Sequence, residues 1–312
     1  MIEHATLIVS PLASRIRDAK VRRRVTGSAV EAIGERGIHE VRVIVAGEPE
    51  AIRAAAGRAV EDGSSLVVLA GGDGTIRDAS ASLSHTAMPV GIVPCGTGNL
   101  YATAVGVPRN LDKALGFIAT GRPAAHDLGE VRRLEADGSP ASEVSPFVAA
   151  CGTGFDARII AATDLEMKRR YGVAAYFIAA GSLLGHLEPV PTVIRVDGVR
   201  TELGSVVVLV ANCGEAIPGV LRPRWPVLPD DGLLHVFVLP QGGIVGGIRG
   251  VLELMTAEAA GVTASGAGAR MTGTHIVVET TPPGPVQVDG DSYPIGGLEA
   301  WVKPGALSVL RG

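Results

Sequence analysis

The amino-acid sequence predicts an α/β domain of three layers followed by a β-rich, sandwich-like domain. Three observations carry that expectation. Up to about residue 124, short apolar runs alternate with helix-length stretches, as in a parallel sheet covered on both faces. After Gly121-Arg122-Pro123 the chain turns into strand-length runs joined by turns, the texture of an antiparallel sandwich or barrel. The length, 312 residues, is also more than one core fills comfortably, since single cores rarely grow past about 250–300 residues.

The elements follow in order. Ala5–Val9 reads as a strand and Ser14–Arg36 as a basic amphipathic helix ending near Gly37. Val41–Val45 is a second strand, Pro49–Glu61 a helix and Ser65–Ala70 a third, wholly apolar strand. Ile76–Leu83 is helical, Val90–Val93 a fourth strand, and Asn99–Val105 and Leu111–Thr120 are helices. Past a boundary near residue 124, Ala125–Arg132 and Pro146–Cys151 read as strands flanking the polar turn Glu135–Glu143. Phe155–Ala162 and Val173–Leu184 are helical. The strands Thr192–Asp197, Ser205–Asn212, Leu233–Leu239, His275–Glu279, Pro285–Asp289 and Leu298–Val302 then dominate, with one helix around Ile244–Glu258. Ala264–Ala269 reads as a mobile small-residue loop, and the tail from about 303 to 312 is expected to pack back on the first domain.

Composition narrows the function classes. A hydrophobic fraction of 46% with only 4% aromatics leaves Val, Ile, Leu and Ala to fill the cores. A net charge of −4 argues against nucleic acid, whose phosphate backbone calls for a basic face. Cys95, Cys151 and Cys213 have no CxxC spacing and read as reduced thiols rather than a zinc site or a disulfide framework. No stretch reaches the ~18 apolar residues of a membrane span, Gly172–Leu187 coming nearest, and Met1–Ser10 has no export-signal pattern. A cytoplasmic protein is expected. Lys168-Arg169-Arg170 and the basic run of Lys20 with Arg22, Arg23 and Arg24 read as solvated faces, with anionic-lipid docking as the competing use.

Two glycine segments stand out. Gly71-Gly72-Asp73-Gly74-Thr75 follows a strand and opens a helix, the place where bare backbone and helix-terminal N–H groups accept phosphate. An aspartate there would repel phosphate alone, so it suggests a bridging Mg²⁺ or a network that fixes metal-bound water. A plain βα turn capped by Asp73 is the simpler reading. Pro94-Cys95-Gly96-Thr97-Gly98-Asn99 is a second such turn, with a hydroxyl at Thr97 and an amide at Asn99 available to phosphate or ribose. No G-x-x-x-x-G-K-[ST] is present, which excludes a P-loop. Gly152-Thr153-Gly154-Phe155-Asp156-Ala157 imitates a dinucleotide fingerprint, but Lys168-Arg169-Arg170-Tyr171 stands where its acidic strand end should be.

Together the two turns resemble the diacylglycerol kinase catalytic-domain family, which includes bacterial lipid kinases and sphingosine kinases and is distantly related to NAD kinases. Further matches follow in order: Asp127-Leu128-Gly129, Gly154–Ala157, Lys168 with Gly172 and Ala175-Tyr176, Pro229-Asp230-Asp231-Gly232-Leu233, and Asp289-Gly290-Asp291. The resemblance implies an ATP- and Mg²⁺-dependent kinase acting on a lipid hydroxyl at the membrane surface, with the first domain (1–124) holding ATP and the second (125–302) the lipid. It places nucleotide on Gly72, Asp73, Gly74, Thr75, Ile76, Arg77 and Asp78, with Gly96, Thr97 and Asn99 of the second turn. It assigns a structural Mg²⁺ to the Asp231 carboxylate with the carbonyls of Leu228 and Leu233. It makes Asp291 the general base, beside a further functional acid at Asp127.

The sequence also departs from the family's pattern. Ser10-Pro11-Leu12-Ala13-Ser14-Arg15 replaces Asn-Pro-x-Ser-Gly, Arg77-Asp78 replaces the usual Asn-Glu, Leu100 stands where some members have an acid, and Asp291 replaces the commoner Glu. These departures leave a lipid-binding or regulatory protein that has lost catalysis as one rival. An NAD kinase, which shares the Gly71–Thr75 turn, is the other, and a homodimer stays open.

Overall fold

The structure is a computed structural model that describes residues 3–135, 137–154, 188–214, 227–239, 261–262 and 268–312. The chain forms two compact units, Met1–Leu128 with Pro304–Gly312, and Gly129–Lys303. Helices expected at Phe155–Ala162, Val173–Leu184 and Ile244–Glu258 lie outside the described residues, as do Lys168, Gly172 and most of Ala264–Ala269.

The first unit opens with β1 (His4–Val9), α1 (Ala19–Glu35), β2 (Glu40–Val45), α2 (Pro49–Glu61), β3 (Leu66–Gly71) and α3 (Asp73–Leu83). β4 (Pro89–Pro94), α4 (Leu100–Ala104) and α5 (Leu111–Thr120) follow. β1 pairs in parallel with both β2 and β3, and β3 with β4. Alternate residues of β1 (Ala5, Leu7, Val9) and of β3 (Leu66, Val68, Ala70) pack with Val25, Ala29 and Ile33 of α1 and Ile118 of α5 in one core. The intervening Ile8, Val67 and Leu69 are equally buried and point to the other face, where α2 packs on β1 and α3 on β3. Burial on both faces explains why β3 is apolar throughout.

Two boundaries differ from expectation. The helix foreseen over Ser14–Arg36 is a short 3-10 turn, Ser14–Ile16, and then α1. Asp18 separates them, because its extended backbone lets the carboxylate accept the N–H groups of Lys20 (2.8 Å) and Val21 (3.0 Å). α3 starts at Asp73 rather than Ile76, so the glycine turn supplies the first helical turn.

The second unit takes up β5 (Arg122–Leu134) from Gly129 onward, then β6 (Pro140–Phe147), β7 (Ala150–Gly154), β8 (Val190–Val196), β9 (Val199–Ser205) and β10 (Val207–Ala211). β11 (Leu234–Leu239), β12 (Gly261–Val262), β13 (Ala269–Gly273), β14 (His275–Thr280), β15 (Gly284–Val288) and most of β16 (Asp291–Arg311) complete it. One antiparallel run is β12-β13-β11-β10-β7-β15-β16. Another joins β16 to β14, β8 and β9. Side chains of both runs, among them Val208, Val236 and Val286 with Ile194, Ile276 and Leu298, share one core, which makes the unit a sandwich. The run expected as a strand over Pro146–Cys151 is broken at Val148-Ala149, and the polar strand β9 was not foreseen. The last residues of β16 belong to the first unit, where Ser308 and Val309 lie parallel to Pro89 and Val90 of β4.

Candidate functional site

The strand order β2-β1-β3-β4 reverses direction between β1 and β3, and parallel sheets bind ligands outside the carboxyl ends of their strands at such a point. The segments after β1, β3 and β4 are laced together there. Ser10 donates its N–H to the Ala70 carbonyl (3.0 Å), Arg15 to Cys95 (3.0 Å) and Cys95 to Gly71 (2.8 Å).

The two glycine turns touch backbone to backbone. A Cβ at Gly96 would lie 2.6 Å from the Gly72 Cα, and one at Gly71 would lie 2.3 Å from the Thr75 hydroxyl, so packing alone demands glycine at both. Gly74 differs: a Cβ there would meet nothing within 4 Å. Open space therefore faces the first turn of α3, whose N–H groups have no earlier carbonyl to bond.

Asp73 reaches from the start of α3 to the start of α4. Its carboxylate accepts the N–H groups of Leu100 (3.1 Å) and Tyr101 (3.0 Å). Burial pushes its carboxyl above the ordinary range against the opposing pull of those donors. Asn99 sits in the left-handed region (φ 51°) and folds its amide onto Gly96, accepting the N–H (2.9 Å) and donating to the carbonyl (2.8 Å). Its amide therefore closes the second turn. Thr97 is exposed and bonds the Ser14 hydroxyl (3.1 Å). Arg109 donates to the Thr97 carbonyl (3.2 Å), and Arg15 donates to the carbonyls of Arg109 (2.7 Å) and Pro94 (3.3 Å). These two guanidiniums bring positive charge to the rim, which sequence reasoning missed because 94 residues separate them.

The remaining residues of the first turn face inward. Thr75, Ile76, Arg77 and Asp78 are buried, and the Arg77 guanidinium pairs with Asp78 at 3.0 Å. Burial pushes the Cys95 thiol up to about 11, so it carries no thiolate chemistry near neutrality. Asp127, also buried and in the same unit, accepts the Gly305 N–H at 2.8 Å.

In the second unit, Asp231 lies in a turn between the exposed Leu228 and Leu233, whose N–H it accepts at 3.0 Å. Its other oxygen bonds His235 Nε2 at 2.9 Å, and His235 Nδ1 meets the Arg270 guanidinium at 3.1 Å. Burial, with Arg270 adding to it, outweighs Asp231 and lowers the basicity of His235. A carboxylate offers about four acceptor positions and two are used, so an oxygen-liganded cation such as Mg²⁺ fits the donor set. Among the described residues no cluster of three or more His, Cys, Asp or Glu groups forms a further metal site.

Asp291 is exposed at the start of β16. Asp289 and Gly290 before it both have positive φ (48° and 85°), as a two-residue hairpin turn requires. Asp289 also accepts the N–H groups of Val148 (2.8 Å), Ala149 (2.8 Å) and Ala150 (3.0 Å), which breaks the strand between β6 and β7.

Comparison with known proteins agrees with both units. A profile of the diacylglycerol kinase catalytic domain matches residues 4–131, and one of the YegS C-terminal NAD kinase beta sandwich-like domain matches 149–311. A Xanthomonas euvesicatoria protein named "Probable lipid kinase YegS-like" is 33% identical over 242 residues, covering 74% of each chain. A Stenotrophomonas maltophilia protein of the same name is 32% identical over 59% of each chain. An uncharacterised Synechocystis protein is 26% identical over 80% of this chain and 55% of its own, so the chain spans less than two thirds of these last two relatives. The crystal structure of a Bacillus anthracis diacylglycerol kinase superposes with a TM-score of 0.70 over 99% of this chain and 97% of that one at 19% identity, a likeness of fold. Among the described residues no helix is long and apolar enough to cross a membrane. The chain belongs to the diacylglycerol kinase catalytic-domain family, with the YegS-like lipid kinases.

Proposed function

We propose that the chain is an ATP- and Mg²⁺-dependent kinase that transfers the γ-phosphate of ATP to a lipid hydroxyl, visiting the membrane surface from the cytoplasm. The observation that carries this reading is the contact of two glycine turns beside open space at Gly74. The backbone of Gly72, Asp73 and Gly74 holds the phosphates against the α3 N-terminus, Gly96 and Thr97 close the other side, and Asn99 keeps that turn in shape. Arg15 and Arg109 add charge in place of the family's Asn-Pro-x-Ser-Gly segment. Thr75, Ile76, Arg77 and Asp78 support the turn from beneath.

Bound Mg²⁺ supplies charge neutralisation of the phosphate oxygens. Asp73 would hold that ion through water, and Asp127 would act as a second acid of the reaction. Asp291 accepts the lipid hydroxyl's proton as that oxygen bonds to the γ-phosphorus and the bridging bond to ADP breaks. Asp231, with the Leu228 and Leu233 carbonyls, would hold a structural cation.

The test incubates the full chain with a total lipid extract, labelled ATP and Mg²⁺, and identifies products by mass spectrometry. A phosphorylated lipid is expected, with Asp291→Asn and Asp73→Asn each reducing turnover by at least ~100-fold, the scale of general-base and positioning losses. Unchanged turnover in both variants, or labelling of NAD instead of lipid, overturns the assignment.

A further inference from the structure

We propose that His235 and Arg270 form a relay that orients Asp231 for its cation, making both of them positioning residues of that site. This rests on the reading of Asp231 as a cation ligand. The motivating geometry lies within one unit. Phe237 of β11 stands opposite Arg270 of β13, so His235, two residues earlier, lies diagonally from Arg270 on the same sheet face. That face is opposite the one on which Leu234, Val236 and Val238 enter the sandwich core. His235 and Arg270 are nevertheless 3% and 9% exposed, whereas the Asp231 side chain is 26% exposed. The chain of contacts thus runs from a buried guanidinium through a buried imidazole to a carboxylate that meets solvent.

The donor inventory gives this chain a direction. Arginine has five N–H donors and no acceptor, so the His235 Nδ1 facing it must be the unprotonated nitrogen. The ring proton then sits on Nε2 and is donated to Asp231. With Leu233 donating to the other oxygen, each carboxylate oxygen carries one protein donor and keeps acceptor capacity for a cation. Pinning both oxygens removes rotation about the carboxylate bond, which an isolated aspartate in an exposed turn would retain. A network that merely supported the fold would need no such one-way tautomer at the solvent end.

The discriminating pair is His235→Gln and His235→Asn. Glutamine reaches as far as Nε2 and keeps a donor on Asp231, whereas asparagine reaches only as far as Nδ1 and keeps only the Arg270 side. Binding of Mn²⁺, as a paramagnetic stand-in for Mg²⁺, is measured on the full chain without nucleotide from the loss of the free-ion electron paramagnetic resonance signal. Asp231→Asn is expected to abolish the site. His235→Asn and Arg270→Met should weaken it roughly 10-fold or more, and His235→Gln by less than about 3-fold, the scale at which outer groups tune metal ligands. The double variant His235→Asn/Arg270→Met should bind no more weakly than His235→Asn alone, because both act through one carboxylate. Melting curves in EDTA show which variants fold. If any of them does not fold, the comparison of His235→Gln with the wild type decides, and an affinity 10-fold weaker sinks the idea. Equal affinity in the glutamine and asparagine variants, binding untouched by Asp231→Asn, or a wild type that binds no Mn²⁺ overturns the relay. The lipid-labelling assay judges the kinase reading separately, so a chain that phosphorylates lipid but fails here loses the relay alone.

Discussion

Gly72, Gly74 and Gly96 lie within one pair of turns yet answer to different constraints. Gly72 and Gly96 are glycine because each backbone occupies the space of the other's Cβ. Gly74 has no such neighbour, so packing does not explain it. Gly74→Ala should therefore fold normally and gain up to about 1 kcal/mol from helix propensity. Its methyl would instead intrude where nucleotide is proposed to approach, weakening ATP binding by roughly 10-fold, a cost of about 1.4 kcal/mol. Gly96→Ala should lose about 1–3 kcal/mol of stability from overpacking. Urea unfolding and ATP titration together separate the two effects. Both glycine turns were legible in the sequence, because turn chemistry is local. That Arg15 and Arg109 would reach the rim of the second turn depended on how distant segments meet.

At the scale of elements, the Asp289-Gly290 hairpin shows how one local signal hid a second role. The dipeptide announces a turn, and the turn is there. The three N–H groups that Asp289 accepts come from residues 139 to 141 positions away, beyond any local pattern. Those bonds split the stretch that reads as one strand over Pro146–Cys151 into β6 and β7. Asp289→Ala should strand those donors and cost on the order of 3 kcal/mol, read as a lower urea midpoint with an unchanged slope. A loss below about 0.5 kcal/mol would show that water replaces the carboxylate. β9 is hidden for a related reason: Arg200 and Glu202 make it polar in sequence, and its pairing with β8, with Leu203 alone packing on the sandwich core among its described core contacts, holds it in place.

At the scale of the whole molecule, acid sensitivity should originate in the sandwich. Burial raises the Glu299 carboxyl, but hydrogen bonds from Arg132 (3.1 Å) and His275 (2.9 Å) outweigh it and hold the group below its ordinary 4.5. The same balance lowers Asp197, where Thr274 and the His275 N–H overcome burial. A depressed carboxyl contributes stability above its unfolded-state pKa, and that contribution is lost as pH falls through the folded value. The melting temperature should accordingly stay level with respect to these groups above about pH 5 and fall below about pH 4.5. Glu299→Gln should make that acid limb shallower, and an unchanged limb in a melting series from pH 3 to 7 would remove Glu299 from the account.

The sequence by itself determined the two fold classes, the strand ends that carry glycine turns and the acids worth watching, because hydrophobic period and turn chemistry act over a few residues. Only the tertiary structure decided which groups those residues bond. Asp73 caps a helix 27 residues away, Asp127 anchors Gly305, and Asp231 is joined to Arg270 through His235. The physical reason is that a buried polar atom must find a partner wherever the folded chain supplies one, and sequence distance places no limit on that search.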